Sequence, residues 1–123
     1  MTGKYRGTGQ YYLVFNELAN AARYRGTVTY QELAHVVGLP ITGSNMGTEL
    51  GKLLGEISED ETSKFGHPML SAIAVDVNGE PGEGFYTLAK NLGRFNGGEN
   101  KEERRQFWEA EKKAVHERWG KKF

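Results

Sequence analysis

The stretch from Gly26 to Leu50, GTVTYQELAHVVGLPITGSNMGTEL, is punctuated tightly enough to restrict the fold. Thr29 stands three residues before Glu32, the spacing of a capping box, in which hydroxyl and carboxylate each satisfy one N–H left over at a helix start. A helix beginning there runs through Val37, and Gly38 with Pro40 stops it. Ser44 supplies the next N-cap, after which Met46, Leu50, Leu53, Leu54 and Ile57 recur at helical spacing as a buried stripe. Two short capped helices joined by a Gly/Pro turn must cross and share an apolar face, the arrangement of a helix-turn-helix.

The flanking segments extend this pair. Before it, Tyr11, Val14, Phe15, Leu18 and Ala22 predict an amphipathic helix from about Gln10 to Arg25, ended by Gly26. Gly47, Gly51 and Gly55 recur every four residues along the third helix and predict close packing of another element against it. Residues 58–67, SEDETSKFGH, read as a polar, acidic loop. In MLSAIAVDV, Ile73, Val75 and Val77 alternate with Ala72, Ala74 and Asp76, as in a strand over 69–77. Asn78-Gly79 is a tight-turn signal, and EPGEGFYTL is expected to return as a short strand with Phe85 inward. After a Gly/Asn-rich linker, residues 101–119 form a last helix, with Phe107, Trp108, Ala114, Val115 and Trp119 available for docking on the same chain. The expected class is α+β, a small winged helix-turn-helix with additional N- and C-terminal helices. A chain of 123 residues carries one such domain, with a core over 10–95 and a linker plus C-terminal helix over 96–123.

The same core segment resembles the C-terminal winged-helix domain of the O6-alkylguanine-DNA alkyltransferases and their alkyltransferase-like relatives. Tyr30, Leu33, Ala34, Gly38, Pro40 and Gly47 fall on positions of the family pattern, and HPMLSAIAVDVNGEPGEGF corresponds to the family's Pro-Cys-His-Arg-Val segment and wing. The resemblance spans about residues 26–85 and implies a winged helix associated with nucleic acid. The alkyl-accepting cysteine falls on Met69, the following histidine and arginine on Leu70 and Ser71, and the base-displacing arginine on Ser44. Thiolate dealkylation is thereby excluded, and a non-enzymatic binding role is expected. Tyr30 keeps the position whose family counterpart sits against a phosphate.

Charge separates two functional expectations. Formal net charge is zero overall, but residues 1–26 carry +3, residues 27–90 carry −6 and residues 91–123 carry +3. If nucleic acid is the partner, the basic ends supply phosphate contacts through Lys4, Arg6, Arg23 and Arg25, beside Tyr5, Tyr11, Tyr12 and Tyr24, with Tyr30, Ser44 and Asn45 at the helix pair. The third helix exposes Asn45, Thr48, Glu49, Lys52 and Glu56 in this reading, a surface that repels a duplex. The alternative is a protein-interaction or small-ligand module without DNA binding, using Glu59, Asp60, Glu61, Glu80 and Glu83 on the acidic middle.

Other chemistry finds no pattern. No cysteine is present, and His35, His67 and His116 are too widely spaced for a metal motif, so no metal or cofactor is expected. His67, Ser71 and Asp76 form a Ser/His/Asp triple only on paper, without a nucleophile elbow. GEPGEG lacks the lysine of a phosphate loop. In the last helix, Lys112, Lys113, Arg118, Lys121 and Lys122 beside Glu109, Glu111 and Glu117 suggest intrahelical pairing. Without a signal peptide or an apolar run near ~18 residues, a cytoplasmic location without membrane contact is expected.

Overall fold

The computed structural model describes residues 3–38 and 44–121, with side chains for all of these except 44–46. The elements are α1 (Gly9–Arg23), β1 (Val28–Thr29), α2 (Tyr30–Val37), α3 (Ser44–Glu59), a π-helical turn (Asp60–Lys64), a 3-10 turn (Leu70–Ile73), β2 (Ala74–Val75), α4 (Glu83–Asn91) and α5 (Lys101–Trp119). This is a mostly helical α+β arrangement with one two-stranded sheet. The expected placements of Pro40 and of the Ser44, Asn45 and Met46 side chains lie outside the described residues.

Local chemistry sets the helix ends. Thr29 accepts from the Glu32 N–H and Glu32 reaches back to the Thr29 N–H, completing the capping box. Gly38 closes α2 at φ 77°, where a Cβ would be strained. Thr8 caps α1 by accepting from the Tyr11 N–H, and Asn100 caps α5 by accepting from the Glu103 N–H. The core forms where α1, α3 and the 3-10 turn meet, with Val14, Leu18, Leu53, Ile57 and Ile73 fully buried.

Four expectations are corrected. The segment after α3 is no loop: α3 reaches Glu59 and continues into the π turn, because Ser58 and Glu61 face inward and keep the chain helical. The strand expected over 69–77 shrinks to Ala74–Val75, preceded by the 3-10 turn, since residues 69–75 are buried on both faces and alternation has no solvent side to follow. The return strand is instead α4, in which Phe85 and Ala89 bury one helical face. No wing hairpin therefore forms among the described residues. β2 pairs with β1 in parallel, Val28 opposite Ala74 and Thr29 opposite Val75. The Asn78-Gly79 turn is present, with Gly79 at φ 82° and the Asp76 carboxylate accepting from the Asn78 and Glu80 N–H groups.

α5 docks on the body, as its apolar positions require. Trp108 is buried and donates its indole N–H to the Ala72 carbonyl at 2.8 Å. Buried Glu111 accepts the Met69 N–H at 2.8 Å and receives Arg94 in a two-pronged pair at 2.7 and 2.9 Å. The 3-10 turn thus gains partners at both ends from one face of α5.

Candidate functional site

The three glycines of α3 do not pack against another element. A Cβ built on Gly47, Gly51 or Gly55 meets no described atom within 4 Å. They form the floor of an open cleft of about 340 Å³. Leu50 and Leu54 of α3, Phe85 and Leu88 of α4 and the ring of Tyr30 supply its apolar walls. Small-molecule sites span about 300–1,000 Å³, so the cleft suits a single ring system better than an extended ligand.

Few polar groups reach this space. Tyr30 opens α2 immediately after β1, which aims its ring across the cleft at the start of α4. Its hydroxyl accepts the Gly82 N–H at 2.8 Å, and the hydroxyl proton has no acceptor among the described residues. Burial pushes the Tyr30 phenol above its ordinary range, so it stays a neutral donor. Ser71 lies at the wall, paired through its hydroxyl with buried Ser58 at 2.8 Å. One hydroxyl proton of that pair is left over. Met69, at the alkyl-acceptor position of the resemblance, is fully buried and does not line the cleft.

Charged residues of the first segment pair with carboxylates of α3 and of the π turn. Lys4 pairs with Glu49 at 2.7 Å, and Arg6 pairs with Asp60 at 3.1 Å and Glu59 at 3.2 Å. The Tyr5 N–H donates to both oxygens of Glu56, which is only 9 % exposed, and the Tyr5 hydroxyl donates to Glu49. Residues 3–8 therefore strap one flank of α3, opposite the glycine flank. Lys4 and Arg6 both pair within this strap, the Lys4 side chain staying largely exposed. Hydrogen bonds from Lys4 and Tyr5 hold Glu49 down to about 2. Burial raises Asp60, but hydrogen bonds from Tyr11 and Arg6 outweigh it and the carboxyl ends below its usual value.

The acidic surface is likewise mostly satisfied internally. Glu59 and Asp60 hold Arg6, and Glu61, only 6 % exposed, accepts from His67 Nδ1 at 2.8 Å. Glu83 holds Arg104 at 2.8 Å, which keeps its carboxyl below the ordinary range. Among the described residues, Glu80 is the one of the five that stays exposed without an ion pair. Arg23 and Arg25, at the end of α1, are exposed and pair with no described carboxylate. The expected exposure of Glu56 on the third helix is overturned by the strap, which no local pattern signals.

The remaining titratable groups are dispersed. His67 holds Glu61, Ser71 holds Ser58, Asp76 serves its own turn, and His116 Nε2 donates to the Gly26 carbonyl at 2.8 Å. The structure does not bring His67, Ser71 and Asp76 to bear on one another as a triad. Among the described residues, no three metal-ligating side chains gather, and no helix is long and apolar enough to cross a membrane.

Compared with known proteins, the chain matches no family model, and no curated protein or solved structure shows significant similarity to it.

Proposed function

We propose that this chain is a non-enzymatic nucleic-acid-associated protein of the winged-helix, alkyltransferase-like kind, and that its cleft holds an unpaired base. One observation carries the reading. Tyr30 and Gly47, two of the residues behind the resemblance, both line the same open apolar cleft. A base has two apolar faces and a polar edge, and the cleft offers apolar walls with hydroxyl donors at Tyr30 and Ser71. With Ser44 where the resemblance places a displacing arginine, the family's wedge for extruding a stacked base is missing. Bases that are already unpaired, whose unstacking costs least, are therefore the preferred occupants.

Fluorescence anisotropy with labelled oligonucleotides tests this at low and near-physiological salt. A duplex bearing a bulged base should bind at least about tenfold tighter than the fully paired duplex, and Gly51→Leu, which fills the cleft, should erase the difference. Equal affinity for the two would refute the cleft as a base site.

A second reading, a binding module for a free flat molecule, is favoured by the lining of the cleft, in which Leu50, Leu54, Phe85 and Leu88 supply apolar walls and, among the described residues, no cation stands ready for a phosphate. Free nucleosides or small aromatic probes would then bind while no oligonucleotide does.

A further inference from the structure

The ends of α1 and α5, far apart in sequence, meet at one corner. The Lys121 N–H donates to the Arg23 carbonyl at 2.9 Å. Gly120 lies against the Arg25 guanidinium, so that a Cβ there would stand 2.9 Å from Arg25 Cζ. Tyr24 projects between them, 62 % exposed. Lys121 Nζ lies 5.1 Å and Arg23 Cζ 6.0 Å from the centre of its ring. While Lys4, Arg6, Arg94 and Arg104 all engage carboxylates, Arg23, Arg25 and Lys121 engage none among the described residues. Glu117 is the one acidic residue between positions 112 and 121, and none occurs between 18 and 26.

We infer that this corner is a track for a single nucleic-acid strand, with Arg23, Arg25 and Lys121 on phosphates and Tyr24 stacked on a base. The inference rests on the nucleic-acid reading above and adds the surface that supplies its affinity. Cations at two helix C-termini also complement the helix dipoles, and that role alone would account for Arg23 and Lys121. Arg25 can take the same role at the end of α5, where its guanidinium meets Gly120, but at a cost in backbone conformation. Arg25 sits at φ 58°, in the left-handed region where glycine or asparagine costs less than any long side chain. A guanidinium is thus kept at a position that the backbone disfavours. A surface-exposed tyrosine flanked by cations is the arrangement that binds single strands, with stacking on the ring and phosphates on the charges. Arg25 also lies five residues before Tyr30, at most about 17 Å along the chain, a distance that a few nucleotides of one strand span. A strand with one base in the cleft can therefore reach the corner.

The test uses the full chain and a labelled oligothymidylate of about 20 nucleotides, titrated at about 50 and 200 mM salt. Inorganic polyphosphate and vesicles of phosphatidylserine with phosphatidylcholine serve as anions without bases. Arg25→Gly should melt no lower than the parent, bind the oligonucleotide about three- to tenfold more weakly, and lose about 0.7 from its salt slope. Tyr24→Leu should weaken oligonucleotide binding by about tenfold and leave polyphosphate binding unchanged. If Arg25→Gly melts lower and binds as well as the parent, Arg25 is a helix cap and the track is overturned. Polyphosphate or vesicle binding that equals oligonucleotide binding, with no effect of Tyr24→Leu, overturns it in favour of a general anion surface. If the parent binds oligonucleotides and keeps its preference for a bulged base while the corner variants change nothing, the track fails and the cleft reading stands. A parent that binds no oligonucleotide refutes both.

Discussion

Replacing Gly51 and Gly55 together by alanine should stabilise this protein and impair its binding. Both glycines sit inside α3 with ordinary helical backbone, and a Cβ at either meets no described atom within 4 Å. Alanine is favoured over glycine in a helix interior by about 0.8–1 kcal/mol per site, so the pair should gain about 1.5–2 kcal/mol. For a chain of this length that raises the melting temperature by roughly 5–10 °C. The two added methyl groups rise into the cleft floor, where they meet the ring that the glycines leave room for. Thermal melts followed by circular dichroism read the first effect, and anisotropy with the bulged duplex reads the second. A lower melting temperature would refute the reasoning, because it would mean that the glycine backbones are packed against and the cleft is closed. A higher melting temperature with undiminished preference for the bulged base would place the site elsewhere.

Further perturbations report on the supports around the cleft. Glu111→Ala leaves Arg94 without its carboxylate and the Met69 N–H without its acceptor, and should cost about 3 kcal/mol in urea unfolding, with Glu111→Gln costing less because it still accepts from Met69. Thr29→Ala removes half of the capping box and should cost about 1 kcal/mol, read as a lower urea midpoint. Glu49 has a folded value near 2, below its ordinary 4.5, so its contribution is present above about pH 4.5 and is lost as pH falls toward 2. Between those limits hydrogen exchange at Tyr5 and Arg6 should rise before exchange in α2 does, and exchange that rises everywhere at once would show that the strap is not a separate unit.

How much of this was readable in the sequence depends on the range of the interactions. The α2 cap, the buried stripe of α3 and the docking of α5 were legible because each is written in residues three or four apart. The α4 segment was not, although Phe85, Leu88, Ala89 and Leu92 have helical spacing. Gly82 and Gly84 at its start looked like turn residues, whereas Gly82 is the N-cap, with its own N–H held by the Tyr30 hydroxyl. The glycine row was visible, but whether it faces a neighbour or a void depends on where α4 lies. The charge pattern misled most. Lys4 and Glu49 are 45 residues apart, so the basic start and acidic middle looked like two available surfaces when they are largely partners of one another.

The dependence of the 3-10 turn on α5 also has a consequence for the order in which the molecule can be made. Met69 and Ala72 find their partners on Glu111 and Trp108, some forty residues later in the chain. During synthesis at about 5–20 residues per second, the buried N–H and carbonyl groups of that turn wait several seconds for α5 to be added. Until then the surface that α5 will cover stays open to other chains. A released chain that ends before Trp108 should accordingly be captured by chaperones, whereas the full chain, which supplies both partners, should not.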